Sequence, residues 1–130
     1  MILAIEAASP VTKLRLFTEK ASALADLEWE SGRNLADELL PQLIKLLKDT
    51  QISLDELTGI ILFAGPGSFT SLRIGHSVAN ALASSLAIPV VSVKGPDWLE
   101  DGVKRLHAGK NDKIALPFYG SEANVSKPKA

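Results

Sequence analysis

The first third of the chain alternates between apolar and polar positions as short strands do. Residues 2–5 form an apolar run typical of a buried strand, and residues 12–18 and 22–31 alternate between apolar and polar positions. The polar faces of the two alternating segments carry opposite charges: Lys13 and Arg15 on the first, and Asp26, Glu28 and Glu30 on the second. Antiparallel strands place such charges opposite one another. A hairpin with its loop at residues 19–21 is therefore predicted.

Three later segments have the pattern of helices. Residues 34–49 carry acidic residues in the first turn and lysines in the last, as the helix dipole prefers. Pro41 should kink this helix or mark the first turn of a shorter one. Residues 69–87 and 96–107 are predicted as the second and third helices, and the third ends near Gly109.

Two apolar runs separate the helices and complete the predicted sheet. Residues 57–64 and 89–93 are apolar on both faces, as in strands covered on both sides. The order β-β-β-α-β-α-β-α predicts a single α/β domain over residues 1–109, with a mixed five-stranded sheet of ribonuclease-H-like type. Residues 110–130 are predicted to form an extended tail. The tail is too apolar for a free linker, and residues 114–119 should lie along the sheet or cover a helix face.

Composition removes several classes of function. The 130 residues carry a net charge of −1, which does not support a broad nucleic-acid footprint. The absence of cysteine excludes disulfides and thiolate metal sites. His76 and His107 match no metal-binding spacing, so no metal or cofactor is predicted. No segment resembles a secretory signal or a membrane span, so a cytoplasmic protein is expected.

The turn before the second helix is the most informative stretch. Gly65, Pro66, Gly67 and Ser68 follow a buried strand, and Ser68 or Thr70 can cap the helix. The glycines permit positive φ and a close approach of backbone. Such a turn can hold an anion at the helix N-terminus, but the sequence is neither a Walker A loop nor a full dinucleotide fingerprint. A tight structural turn and a nucleotide site both remain open at this point.

Two stripes run along the second helix. The large residues Ile74, Val78 and Leu82 share one face, and Gly75, Ala79 and Ala83 lie beside them. One interpretation packs the large stripe on the sheet and leaves the small stripe for close approach of a partner helix. The alternative is packing of the small stripe against a neighbouring helix of the same chain. His76 is either a pH-sensitive residue at the rim of this surface or an ordinary polar helix position.

The first helix is apolar over about half its circumference, wider than the roughly 100° stripe of a one-sided surface helix. One half of the arc holds Leu35, Leu39, Leu43 and Leu46, and the other holds Leu40, Ile44 and Leu47. Surplus apolar surface on two helices predicts a partner. Arg73, alone in a long apolar region, is expected to meet a carboxylate or a helix carbonyl, within the chain or on that partner.

Residues 65–75, Gly-Pro-Gly-Ser-Phe-Thr-Ser-Leu-Arg-Ile-Gly, resemble the signature of the TsaB (YeaZ) family, with Ser71 in place of the family's usual glycine. The flanking segments agree: the opening strand, the Leu40-Pro41 helix and residues 86–93 are similar to the family pattern. The resemblance covers residues 1–99, and the last residues also resemble the family's C-terminus. About 20 residues stand where the family normally has a second, similarly folded half.

The resemblance implies a scaffold of the actin-like ATPase superfamily without catalytic equipment. It implies binding to the catalytic subunit TsaD through a helix bundle, together with the ATPase TsaE, in forming threonylcarbamoyladenosine next to the tRNA anticodon. Contact with tRNA would be indirect, and a homodimer is expected when TsaD is absent. The predicted partner-binding residues are Leu35, Leu39, Leu43, Leu46, Leu72, Arg73, Gly75, His76, Ala79 and Ala83.

The alternative is a small nucleotide-binding enzyme or nuclease that uses the Gly-Pro-Gly turn and Glu6. A nuclease of this fold needs several carboxylates around two metals. Glu6 ends the first strand and Glu38 is a second candidate, but Ala64 and Gly65 occupy the end of the central strand. Residues 6–9 also lack the Asp and Gly of an actin-like phosphate turn. The sequence therefore favours the scaffold.

Overall fold

The computed structural model describes residues 1–118 and confirms the predicted order of elements. The strands are β1 Ile2–Glu6, β2 Val11–Phe17, β3 Ala23–Glu30, β4 Gly59–Phe63 and β5 Val90–Val93. The helices are α1 Leu35–Thr50, α2 Phe69–Leu86 and α3 Trp98–His107, with single 3-10 turns at Gly32–Asn34 and Leu54–Glu56.

The five strands form one mixed sheet in the order β3-β2-β1-β4-β5. The first three are antiparallel, whereas β4 and β5 run parallel to β1. The predicted hairpin is present, and Lys13 lies opposite Glu28 and Arg15 opposite Asp26. The strands that precede α1 and α2, β3 and β4, run in the same direction. The two helices therefore lie side by side on one face, with their N-termini at the same edge of the sheet.

The apolar residues divide between two cores, one on each face of the sheet. Strand side chains alternate between the faces. Leu3, Leu14 and Ile60 point to the face covered by α1 and α2. Ile61 and Trp98 belong to the smaller cluster under α3. The central strands are thus covered on both sides, as their continuous apolar runs predict.

Pro41 neither starts nor ends α1, which continues unbroken from Leu35 to Thr50, so the shorter helix is wrong. Proline has no amide hydrogen for the carbonyl four residues earlier. That carbonyl belongs to Asp37, and both Asp37 and Pro41 are exposed. Water can therefore reach the carbonyl that lacks its helical partner.

The described part of the tail is attached to the domain. The Asp112 N–H donates to the Val90 carbonyl (2.8 Å), and the Asp112 Oδ2 accepts from the Ser92 N–H (2.8 Å). These bonds hold the segment along β5, and Ala115 is buried against the main core. Attachment of the tail is confirmed up to residue 118, but Ile114 and Leu116 are exposed and do not pack on the domain as predicted. Tyr119 and Val125 lie outside the described residues.

Candidate partner-docking site

The Gly-Pro-Gly turn is filled by the protein's own backbone. Gly65 has φ +111°, and a Cβ on it would lie 2.7 Å from the Phe118 carbonyl oxygen. A Cβ on Gly67 would lie 2.5 Å from the Ala8 carbonyl oxygen. That same oxygen accepts the Ser68 N–H at 2.8 Å. The positive φ expected of these glycines is present at Gly65, and both approach other backbone closely, Gly65 at Phe118 and Gly67 at Ala8.

Ser68 caps α2, since its Oγ accepts the Ser71 N–H at 3.4 Å. Thr70 and Pro66 are exposed beside it. The two candidate catalytic carboxylates, Glu6 and Glu38, are engaged with other residues. Glu6 pairs with Arg15 at 3.8 Å, and Glu38 accepts the Trp29 Nε1–H at 3.0 Å. Within residues 1–118 no cluster of three or more histidine or acidic side chains could hold a metal ion.

The small stripe of α2 faces the sheet, so its predicted exposure to a partner is wrong. Ala79 has 0% of its surface exposed and Ala83 is also buried. A Cβ on Gly75 would lie 3.0 Å from the Cβ of Ala7. Small side chains are needed here because α2 lies close over the end of β1. Gly75 packs against the segment after β1, and Ala79 and Ala83 belong to the main core that the sheet, α1 and α2 share.

Several further residues predicted to bind a partner are core residues instead. Leu35, Leu39, Leu43, Leu46 and Leu72 are all buried. They belong to the half of the α1 arc, and to the side of α2, that cover the sheet. Leu40 and Ile44, from the other half of the arc, remain 44% and 52% exposed. The arc is therefore divided between the core and the surface, as its width suggests.

His76 is buried and joins α2 to β5, so neither the rim nor the ordinary polar position is correct. Its Nδ1 donates to the Leu72 carbonyl at 2.8 Å, because a carbonyl can only accept. Nε2 of the neutral ring then accepts the Ser92 hydroxyl at 2.7 Å. Burial lowers the pKa of His76, opposed in part by the bond to Leu72 and by the charge of Asp112.

The surface that remains is a groove between the two helices, here called the α1–α2 groove. Its volume is about 340 Å³, and it is lined by Ala36, Thr70, Arg73, Ile74, Ser77 and Val78. Leu40 and Ile44 follow Ala36 at intervals of four residues and extend the apolar side along α1. On α2, Arg73, Ser77 and Ala81 have the same spacing and are exposed. Ile74 and Val78, predicted to face the sheet, are partly buried against the main core and also line the groove, while Leu82 of the same stripe is buried in that core.

Comparison with known proteins gives this groove a context. Residues 29–104 match the family model described as "TsaD: tRNA N6-adenosine threonylcarbamoyltransferase". The chain is 31% identical over 116 residues to the tRNA threonylcarbamoyladenosine biosynthesis protein TsaB of Buchnera aphidicola from Acyrthosiphon pisum, covering 89% of this chain and 52% of the relative. It is 32% identical over 98 residues to TsaB of Bacillus subtilis, covering 75% and 42%.

Solved structures show the same likeness. YeaZ from Pseudomonas aeruginosa superposes with a TM-score of 0.67 at 28% identity, covering 82% of this chain and 49% of that one. The chain therefore spans about half the length of these relatives. The ribonuclease-H-like fold is confirmed. Over the described residues, no helix combines the length and apolarity needed to cross a membrane.

Proposed function

Since the chain belongs to the TsaB (YeaZ) family, within the family of the matched TsaD model, we propose that it is a non-catalytic partner subunit in the biosynthesis of threonylcarbamoyladenosine in tRNA. It binds a TsaD-like catalytic subunit through the α1–α2 groove and works with a TsaE-like ATPase in the cytoplasm. Its contact with tRNA is indirect. In the absence of the TsaD-like subunit it forms a homodimer.

The observation that carries this proposal is the exposed apolar strip of the groove. Leu40 and Ile44 are exposed on α1 in line with Ala36, and the partly buried Ile74 and Val78 line the groove from α2. Next to Ile74 and Val78, the outward face of α2 carries the small residues Ser77 and Ala81. A helix laid in this position would bury large side chains on both flanks and approach α2 closely. The geometry fits a bundle of helices from two chains.

The site offers little to the alternative of a nucleotide-binding enzyme or nuclease. The Gly-Pro-Gly turn packs on Ala8, and Glu6 is paired with Arg15. The charged side chain at the groove is a single arginine. These features support a scaffold in which the shape and apolar surface of the groove, rather than reactive groups, provide the function.

Co-purification with the TsaD-like subunit from the same source tests the proposal. Leu40→Glu combined with Ile44→Glu places two charges on the apolar wall and should abolish capture while the chain stays folded. Leu24→Glu is the matched control, because Leu24 is 45% exposed on β3, away from the groove. If the double variant is captured as well as the wild type, or if the wild type is not captured at all, the proposal fails.

A further inference from the structure

The α1–α2 groove has one charged side chain, and it lies toward the N-terminal end of α2. Arg73 is exposed, and its guanidinium lies over the Phe69 ring with Cζ 5.4 Å from the ring centroid. None of the ion pairs found among residues 1–118 involves Arg73. The arginine is thus held in position by stacking while its charge remains available.

The surroundings of Arg73 do not neutralise this charge. The first turn of α2 contains no acidic residue, so the positive end of its helix dipole adds to the arginine. The acidic residues in the first turn of α1 are Asp37 and Glu38, and Glu38 accepts the Trp29 Nε1–H. The residues that line this end of the groove therefore include one positive charge and no negative one, while the exposed Asp37 follows Ala36 on α1.

We propose that the helix occupying the α1–α2 groove presents a carboxylate to Arg73, and that this pair selects the TsaD-like subunit over a second copy of the chain. The inference rests on the proposed function and adds the chemistry of the partner. If two copies associate through their α1–α2 grooves, the second copy brings the same lining and another Arg73. The lining residues supply no negative charge and set two arginines in one apolar interface, which is unfavourable. The exposed Asp37 follows Ala36 on α1 but is not among the lining residues.

Three substitutions of Arg73 separate charge from shape. Arg73→Glu should weaken binding of the TsaD-like subunit about tenfold or more, because it faces the partner's carboxylate with a like charge. Arg73→Gln should weaken binding less and remove most of its salt dependence. Arg73→Lys keeps the charge but loses the planar stack, so it should retain most of the affinity. Self-association should be unchanged or stronger in Arg73→Gln.

Binding is measured by titration calorimetry at low and high salt, self-association by sedimentation, and folding by thermal melts of each full-length variant. If Arg73→Glu binds the TsaD-like subunit within about twofold of the wild type, the inference is overturned. It is also overturned if only tRNA binding by the assembled complex changes, since the charge would then serve a phosphate. Loss of binding in Leu40→Glu/Ile44→Glu beside an unaffected Arg73→Glu would leave the proposed function intact and remove only this inference.

Discussion

Gly67 lies so close to Ala8 that a methyl group on the glycine would be 2.5 Å from the Ala8 carbonyl oxygen and 3.1 Å from its Cα. The contact joins the turn before α2 to the segment after β1, which Gly75 also meets at Ala7. Gly67 and Gly75, near the two ends of the family signature, thus serve one purpose. They let the α2 region close over the end of β1.

Gly67→Ala should destabilise the domain by about 1–3 kcal/mol, the usual cost of overpacking a tight contact. Because Gly67 does not have a positive φ, the loss would come from the contact with Ala8 and not from backbone strain. Urea unfolding of the wild type and the variant provides the measurement. An unchanged free energy of unfolding in Gly67→Ala would show that the Ala8 contact contributes nothing.

Ala79→Leu should lower the free energy of unfolding by about 1–3 kcal/mol, because Ala79 is fully buried on the inner side of α2. Ala81→Leu, two positions along on the exposed side, should change it by less than about 0.5 kcal/mol and weaken partner binding instead. Thermal melts and pull-downs of both variants test this. A folded Ala79→Leu that has lost binding would reverse the assignment of the two faces.

Because His76 is buried, the free energy of unfolding should fall as the pH drops below about 6.5. Burial lowers the pKa of His76 in the folded state, so the unfolded chain binds more protons in the interval between the two pKa values. The contribution is complete above the ordinary pKa of about 6.5 and is lost progressively below it. Denaturant unfolding between about pH 5 and pH 7.5 should show the slope. His76→Gln should flatten it, whereas His107→Gln should not.

Asn80→Ala should loosen the segment after α3. The Asn80 side chain accepts the Ala115 N–H at 2.8 Å and donates to the Ala115 carbonyl at 3.0 Å. Its loss leaves two backbone groups of a buried residue unpaired, at a cost of about 1–3 kcal/mol. Amide exchange should be slow at Asp112, Ala115 and Phe118 in the wild type and faster in the variant. Fast exchange at all three in the wild type would contradict the attachment.

The isolated chain should hydrolyse neither ATP nor nucleic acid. Residues 6–9 lack an acidic and glycine-rich phosphate turn, and Ala8 occupies the space beside Gly67. Phosphate release and nuclease assays with the purified chain provide the test, with Glu6→Ala as the comparison. Activity in the wild type that disappears in Glu6→Ala would restore the enzymatic alternative.

Local patterns in the sequence determined the elements, their order and the family. The alternation of residues 12–18 and 22–31 and the apolar runs of β4 and β5 depend on short-range geometry, which a sequence displays directly. The positive φ of Gly65 and the close backbone approach of Gly65 and Gly67 could be predicted for the same reason. Attachment of the tail was predicted from its apolar content, but Ile114 and Leu116 are exposed and hydrogen bonds of Asp112 and Ala115 hold the segment instead.

Only the tertiary structure decided which face of α2 is turned inward. The stripes of Gly75, Ala79, Ala83 and of Ile74, Val78, Leu82 are adjacent on the helix, and either can cover a sheet. The choice depends on how near α2 comes to Ala7 after β1, a contact between residues 68 positions apart in the chain. The same approach buried His76 against Ser92 and left Ile74 and Val78 along the groove. A local sequence pattern does not specify how closely a helix packs on a strand that is far from it in the sequence.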